Sequence, residues 1–349
     1  MYGFLVLAGV VTVVFLLFNV LPGDPARMLM GQRADAESLK IIQKDLGLDQ
    51  PLSKQFVMYV NDLSPISVHS SDPEHYLYLD ADKYDYSELF QYGKSKVAVI
   101  KYPYLRRSYG TKRKVTETLM DYMLETAVLA LASILIASFF GIFFGVFAAL
   151  KKDTWLDRSL LFTSVLGMSV PSFYSAIIIS WFFGYVMADL TGLNMTGTLF
   201  EYDDLGNGEL LVLSNLILPA LTLGIRPISA IMQLTRSSML DVMSQDYIRT
   251  ASAKGLKFKT VVIKHALKNA LNPVVTTISG MFASLLAGAL FVEWIFGWKG
   301  IGWILFDALS KFDLPIVMGG VLLTATIFVI MNILVDITYG LLDPRVRVK

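Results

Sequence analysis

Residues Thr126 to Leu150 read Thr-Ala-Val-Leu-Ala-Leu-Ala-Ser-Ile-Leu-Ile-Ala-Ser-Phe-Phe-Gly-Ile-Phe-Phe-Gly-Val-Phe-Ala-Ala-Leu, 25 residues without a charge, and Lys151 and Lys152 follow at once. A helix needs about 20 mostly apolar residues to cross a bilayer, because every backbone group must be satisfied inside the segment. Working outward from this stretch, five more meet the same test: Tyr2 to Leu21, Ser159 to Ala188, Leu210 to Leu234, Ala270 to Val292 and Leu314 to Val335. Only one of the six contains a charged residue, Arg226. The whole chain agrees with the local reading: 54% of its 349 residues are hydrophobic and 17% charged, where a soluble domain carries about 25% charged residues. A net charge of +1 gives no electrostatic footprint for nucleic acid, and the absence of cysteine removes disulfides, thiolate metal sites and cysteine nucleophiles.

Lysine and arginine in the short loops set the expected orientation. Lys151, Lys152 and Arg158 follow the second stretch, Arg345, Arg347 and Lys349 end the chain, and residues 235–272 carry Arg236, Arg249, Lys254, Lys257, Lys259, Lys264 and Lys268 against Asp241 and Asp246. The loop 189–209 has no basic residue and five acids: Asp189, Glu201, Asp203, Asp204 and Glu209. This alternation puts both termini in the cytoplasm and residues 24–120 outside. The first stretch reads as an anchor rather than a cleaved signal, since its apolar run exceeds the usual core of about 7–15 residues. It also lacks a basic leader, which leaves the true start open.

The segment 24–120 separates its charges. Asp72, Glu74, Asp80, Asp82, Asp85 and Glu88 lie among Tyr76, Tyr78, Tyr84, Tyr86 and Tyr92, and a basic run follows from Lys94 through Arg106, Arg107, Lys112, Arg113 and Lys114. Alternation around Tyr76–Leu79 and Val97–Ile100 predicts short strands. Two readings stand: a solvated cap over the first spans, or a docking surface for a soluble partner.

No energy-converting site is present in the sequence. Gly93-Lys94-Ser95 resembles the end of a phosphate-binding loop, but the pattern needs glycine where Glu88 stands. Asp80-Ala-Asp82-Lys-Tyr84 fails the calcium-loop pattern. His69, His75 and His265 have no metalloprotease spacing. No catalytic residue and no metal site is expected, and any ATP-consuming engine must be on another chain.

The cytoplasmic segment 235–272 has structure of its own. Gly255 stops one short helix before a second, helical run from Phe258 to Leu271. Lys257, Lys264 and Lys268 make a basic stripe on that run, while Phe258, Val261, Val262 and Ala266 supply an apolar face. Such a helix suits a lipid surface or a groove on a partner.

Within this segment, Tyr247-Ile-Arg-Thr-Ala-Ser-Ala-Lys-Gly255, followed by His265-Ala-Leu-Lys-Asn-Ala-Leu-Asn-Pro273, resembles the EAA loop of binding-protein-dependent ABC permeases. Its spelling is similar to the branch that imports dipeptides, oligopeptides or nickel. Four other segments match that branch in order: Leu21-Pro-Gly-Asp-Pro, Val170-Pro-Ser-Phe, Glu293-x-x-Phe-Gly-Trp-Lys-Gly-Ile-Gly, and Asp336-x-x-Tyr-Gly-Leu-Leu-Asp-Pro-Arg. The likeness covers nearly the whole chain except residues 60–105, where this sequence is longer. Arg249 replaces the glutamate of the motif name, and Lys268 replaces a later proline.

The resemblance implies an all-α membrane protein of six transmembrane helices, of the type I ABC importer permease kind, in a bacterial inner membrane. It implies residues 1–23 as the first helix, 24–120 as an extracytoplasmic segment, 121–342 as the permease core with an ATPase-docking loop at 235–272, and 343–349 as a cytoplasmic tail. Expected partners are a homologous second permease, two cytoplasmic ABC ATPase subunits that bind the ATP, an extracytoplasmic substrate-binding protein and membrane lipid. This chain would hold no cofactor. The docking residues carried over are Tyr247, Arg249, Thr250, Ala251, Ala253, Lys254, Gly255, Lys264, His265, Ala266 and Leu267. A self-sufficient secondary transporter or channel is the competing class, and it predicts internal repeats and paired intramembrane charges that the sequence lacks. A membrane-anchored receptor would not need the 235–272 loop.

Inside the spans, ionisable residues are costly and default to function. Arg226 either lines the pathway and meets a peptide carboxylate or snorkels to the headgroups; Glu293 is a candidate gate or anchor, and Asp336 a packing residue. Two stripes of small residues, Ala137/Gly141/Gly145 and Gly280/Ser284/Gly288, predict close helix pairs. Pro171 predicts a kink in the third span.

Overall fold

The computed structural model describes residues 2–20, 49–73, 75–93, 95–202, 208–286 and 289–342. The Leu21-Pro-Gly-Asp-Pro segment, Gly288 and the end of the Asp336 motif with the basic tail lie outside these residues. The chain divides into two compact units, Met1–Asp121 with Asp307–Thr326, and Tyr122–Phe306 with Ile327–Lys349.

Long helices occupy the apolar stretches, and shorter ones lie between them. In chain order they are α1 (Tyr2–Val20), α2 (Leu52–Leu63), α3 (Val115–Leu150), α4 (Trp155–Ser169), α5 (Ser172–Trp181), α6 (Ser214–Met243), α7 (Asp246–Ala253), α8 (Lys268–Leu286), α9 (Leu290–Phe296), α10 (Ile301–Ser310) and α11 (Leu314–Leu342). Among the described residues three helices, α3, α6 and α11, are long and apolar enough to cross a membrane alone; two bent pairs raise this to five, and α1 is a shorter apolar helix. Helix α3 starts 11 residues before the predicted span, and α6 runs nine residues past Leu234.

The third span is not one helix, as its apolar run had implied. Helices α4 and α5 meet at an angle of 106°. Pro171 has no amide proton to continue the ladder, and its ring drives the preceding residue out of helical conformation; Val170 is extended at φ −76°, ψ 129°. The kink is therefore a full break.

In the larger unit, α3 lies against α6 through its small residues. A Cβ at Gly141 would sit 2.7 Å from Ile231 Cγ2 and 3.0 Å from the Ile228 carbonyl oxygen; one at Gly145 would sit 2.7 Å from the Met232 carbonyl oxygen. Ala137 is buried in the same seam with Ile231 and Val274. The second predicted stripe behaves differently, since a Cβ at Gly280 would have nothing within 4 Å among the described residues.

The smaller unit holds a three-stranded antiparallel sheet, β1 (Ile66–Ser70), β2 (Tyr86–Tyr92) and β3 (Lys96–Lys101), in the order β1-β3-β2. The predicted strand at Val97–Ile100 falls within β3. Tyr76–Leu79 is not a strand: Tyr78 makes one bridge to Ser70, and the turn before it closes through Tyr78 N–H to the His75 carbonyl at 2.9 Å. One sheet face is buried, with Ser67, His69, Val97, Val99 and Lys101; the other leaves Ile66, Val68, Phe90, Tyr92 and Ile100 exposed. Beneath the buried face, the Tyr84 hydroxyl donates to Asp62 Oδ1 at 2.5 Å and Lys101 Nζ donates to the Asp62 carbonyl at 2.6 Å. Val14 and Phe15 of α1 pack with Tyr59 of α2 and Met318 and Leu322 of α11. Asp313 ties the 108–110 loop to this group, accepting from the Ser108 hydroxyl at 2.5 Å and the Tyr109 and Gly110 amides at 3.0 and 3.2 Å.

Two measurements follow. Gly145→Ala forces α3 from α6 against a backbone atom and is expected to lower stability by about 1–3 kcal/mol; Gly280→Ala, with open space, should stay within about 0.5 kcal/mol of the parent. Thermal melts of the detergent-solubilised protein compare them. The buried sheet gives a pH dependence. Burial, then the charge of Lys101, holds His69 below its usual 6.5, and burial pushes Lys101 down to about 8. The native state then binds fewer protons than the unfolded state, so stability falls as pH drops below about 6.5 and rises again from about 8 toward 10.5. Hydrogen exchange at Val97–Val99 in the full chain, corrected for intrinsic rates, should show the acid step, and His69→Gln should flatten it.

Candidate functional site

The basic segment is built as two helical pieces around a glycine. Helix α7 begins at Asp246, after a two-residue gap from the end of α6, and Gly255 closes it at φ +78°, a backbone region that favours glycine. Its amide donates to the Ser252 carbonyl at 3.0 Å. A helical turn at Phe258–Thr260 passes into a π-helical stretch, Val261–Leu267, and then directly into α8. The expected second short helix is thus the start of the fifth span.

The apolar face read from the sequence is mostly not free. Val261, Val262 and Ala266 are buried inside this chain, packed with Ala149 of α3, Met239 of α6, Ile248 and Ala251 of α7 and Ala270 of α8. The sequence pattern grouped these residues on one face correctly, but the face is covered by the chain's own helices rather than by lipid or a partner. Of the four residues of that face only Phe258 is exposed, at 64%. Tyr247, carried over as a docking residue, is also exposed, and sequence reasoning missed two further exposed apolar residues here, Leu256 and Ile263. Among the carried-over docking residues, Tyr247, Arg249, Thr250, Ala253, Lys254, Gly255 and Lys264 are exposed, His265 and Leu267 are half-buried, and Ala251 and Ala266 are buried. Asn269 Nδ2 donates to the Tyr247 hydroxyl at 2.9 Å, tying α7 to α8.

Arg236 had been counted only as a cytoplasmic charge. It forms a two-pronged ion pair with Asp157 of α4, Nε to Oδ1 at 2.6 Å and Nη2 to Oδ2 at 2.7 Å, and Asp157 is 1% exposed. Asp153 N–H donates to the same carboxylate at 2.9 Å. The available signal was Thr154-x-x-Asp157 ahead of an apolar run, a helix-start pattern; Thr154 does cap α4.

The two intramembrane candidates separate. Arg226, between Pro219 and Pro227 in α6, is exposed on the single chain, with no hydrogen bond or ion pair to the described residues. Glu293 is fully buried. Its Oε1 accepts from the Thr126 hydroxyl at 3.1 Å, and Oε2 accepts from the Gly302 and Trp303 amides at 2.7 and 3.2 Å. Thr126 in turn accepts from the Ile301 amide at 2.7 Å. The carboxylate thus satisfies the start of α10, where amides lack intrahelical partners, and it offers no open face to a solute. Asp336 is exposed.

Comparison with known proteins decides the relationship. Residues 141–348 match the binding-protein-dependent transport system inner membrane component family, and residues 1–70 match the N-terminal part of such membrane components. The chain belongs to this family. It is 32% identical to a dipeptide transport system permease protein of Alkalihalophilus pseudofirmus, covering 98% of this chain and 96% of the relative. It is 35% identical to a di/tripeptide transport system permease protein of Pseudomonas aeruginosa, with 97% and 94% covered. A glutathione transport system permease protein of Salmonella typhimurium is 34% identical, again over 97% and 94%. The chain is accordingly a multi-pass inner-membrane permease subunit of an ABC importer, a family that works with a substrate-binding protein and ATPases.

An anchoring Glu293 has a distinct mutational signature. Glu293→Ala strands the Gly302 and Trp303 amides without a partner, at about 1–3 kcal/mol each, while Thr126→Val, which loses one hydroxyl, should cost less. Melting of the purified permease should rank parent, Thr126→Val and Glu293→Ala in falling stability.

Proposed function

We propose that this permease subunit forms half of the pathway of an ATP-driven importer of di- or oligopeptides or a related small solute. Its 235–272 loop docks on a cytoplasmic ATPase. The observation that carries this reading is the surface of that loop. Tyr247, Leu256, Phe258 and Ile263 are exposed among Arg249, Lys254, Lys257, Lys259 and Lys264, on a base locked to α3, α6 and α8 by buried Met239, Ile248, Val261 and Ala266. A mixed apolar and basic surface on a rigid base suits a partner groove with an acidic rim. The base lets force on that surface reach the membrane helices.

In this reading both termini are cytoplasmic, residues 24–120 face outward, and the chain itself is non-catalytic, with ATP bound and hydrolysed on two partner subunits. A homologous second permease completes the pathway and an external binding protein delivers the cargo. Arg226 faces that pathway and meets a cargo carboxylate, because a lone cation facing lipid at the centre of a helix costs about 2.5–3.5 kcal/mol. The names of the relatives support peptide cargo.

Phe258→Asp puts a carboxylate in the centre of the exposed patch, and Gly255→Asp adds one at a left-handed position. Both should lower ATPase co-purification and ATP-dependent uptake by about tenfold or more, the effect of losing a central interface anchor, while the permease still inserts. Unchanged co-purification and uptake in both variants would defeat the docking assignment.

A further inference from the structure

Resting on that coupling role, we infer that the Asp157–Arg236 pair is a transmission strut that makes α4 move with α6, so that displacement of the docked loop reaches the Val170–Pro171 break. Helix α6 holds α4 through residues 229, 233 and 236, spaced to share one helix face. Ser229 lies against Gly167, where a Cβ would be 2.6 Å from its Oγ. Gln233 Nε2 donates to Ser164 Oγ at 2.9 Å. Arg236 completes the row with its fork on Asp157.

The three contacts differ in what they can transmit. A neutral hydrogen bond and a close packing contact allow sliding along the helix. A bidentate guanidinium–carboxylate pair fixes both direction and distance, and breaking a buried one leaves an uncompensated charge. The pair sits at the cytoplasmic end of both helices. Asp157 is the third residue of α4, and it also holds the turn from α3 through the Asp153 amide. Arg236 lies three residues before Met239, which is buried with Ile248, Val261 and Ala266 of the loop. A push on the loop therefore enters α6 beside the strut and passes to α4, a rod of about 22 Å. The far end of that rod is the 106° break.

The test uses the assembled transporter, with its second permease, ATPases and binding protein, in liposomes supplied with radiolabelled Ala-Ala dipeptide. Asp157→Asn and Arg236→Gln should leave ATPase co-purification intact and hydrolysis within about twofold, yet lower uptake per ATP by about tenfold; Asp157→Arg with Arg236→Asp should recover most of it, as coupled sites do. Unchanged uptake per ATP in the single variants overturns the strut. So does loss of ATPase binding, because the pair would then shape the docking surface itself. A second readout does not depend on cargo. The chain has no cysteine, so spin labels at Thr163→Cys and Ser252→Cys report α4 against α7. Their distance distribution should stay narrow with and without ATP in the parent and broaden in Asp157→Asn; equal widths in both proteins overturn the strut. Absence of dipeptide uptake by the parent would count against the peptide reading alone.

Discussion

A backbone amide in hydrocarbon has no water to bond, and two breaks between helices of the larger unit are arranged around that constraint. Where the chain is helical, the constraint is met locally. Where it breaks, something else must supply partners. Between α9 and α10 that supplier is Glu293, whose carboxylate accepts from the Gly302 and Trp303 amides and from Thr126, itself bonded to the Ile301 amide. The glycine at 300 is required by the same knot, because a Cβ there would sit against Thr126 and the Glu293 carboxylate. Thr126 comes from α3 and Glu293 from α9, so one carboxylate fastens the α10 turn to two other elements. At the α4–α5 break the solution differs: proline removes the donor that would otherwise be stranded.

Helix α6 is the member on which the others are organised. Its seam with α3 uses Gly141 and Gly145 to bring backbones into contact, its polar face grips α4, and its end at Met239 is buried in the loop cluster. Close backbone packing and buried polar contacts leave little slack. On the proposed coupling, such a helix would transmit displacement rather than absorb it.

Legibility in the sequence followed the range of the interactions involved. Apolar runs and basic loops are local, and they marked where most of the membrane helices lie. Gly255 was legible because a helix stop needs only its neighbours. The spacing of Ala137, Gly141 and Gly145 announced a seam, though not that its partner is α6. For Glu293 an anchor was one of the two sequence readings, but its partners and the role of Asp157 were not legible, since a carboxylate's meaning depends on amides and cations 9 to 79 residues away. The 258–267 run was legible as an apolar face, but what covers it was not, since Ala149, Met239 and Ile248 come from other helices.

Two features of the single chain find no resolution within it, and their energetics differ. With the proposed orientation, the exposed Phe258 and its neighbours lie beside water, where an uncovered apolar patch costs roughly 25 cal/mol for each Å² left wet. Arg226 lies within an apolar helix, where leaving the cation against lipid costs more than most single contacts in the fold return. On the proposed reading, a docking surface in water can wait for its partner, while an arginine in hydrocarbon cannot. In the proposed assembly, a second permease around a polar path would relieve the larger penalty, which would make that contact the more obligatory of the two. An ATPase contact at the Phe258 patch, relieving only surface already in water, would be free to be made and reset during a transport cycle.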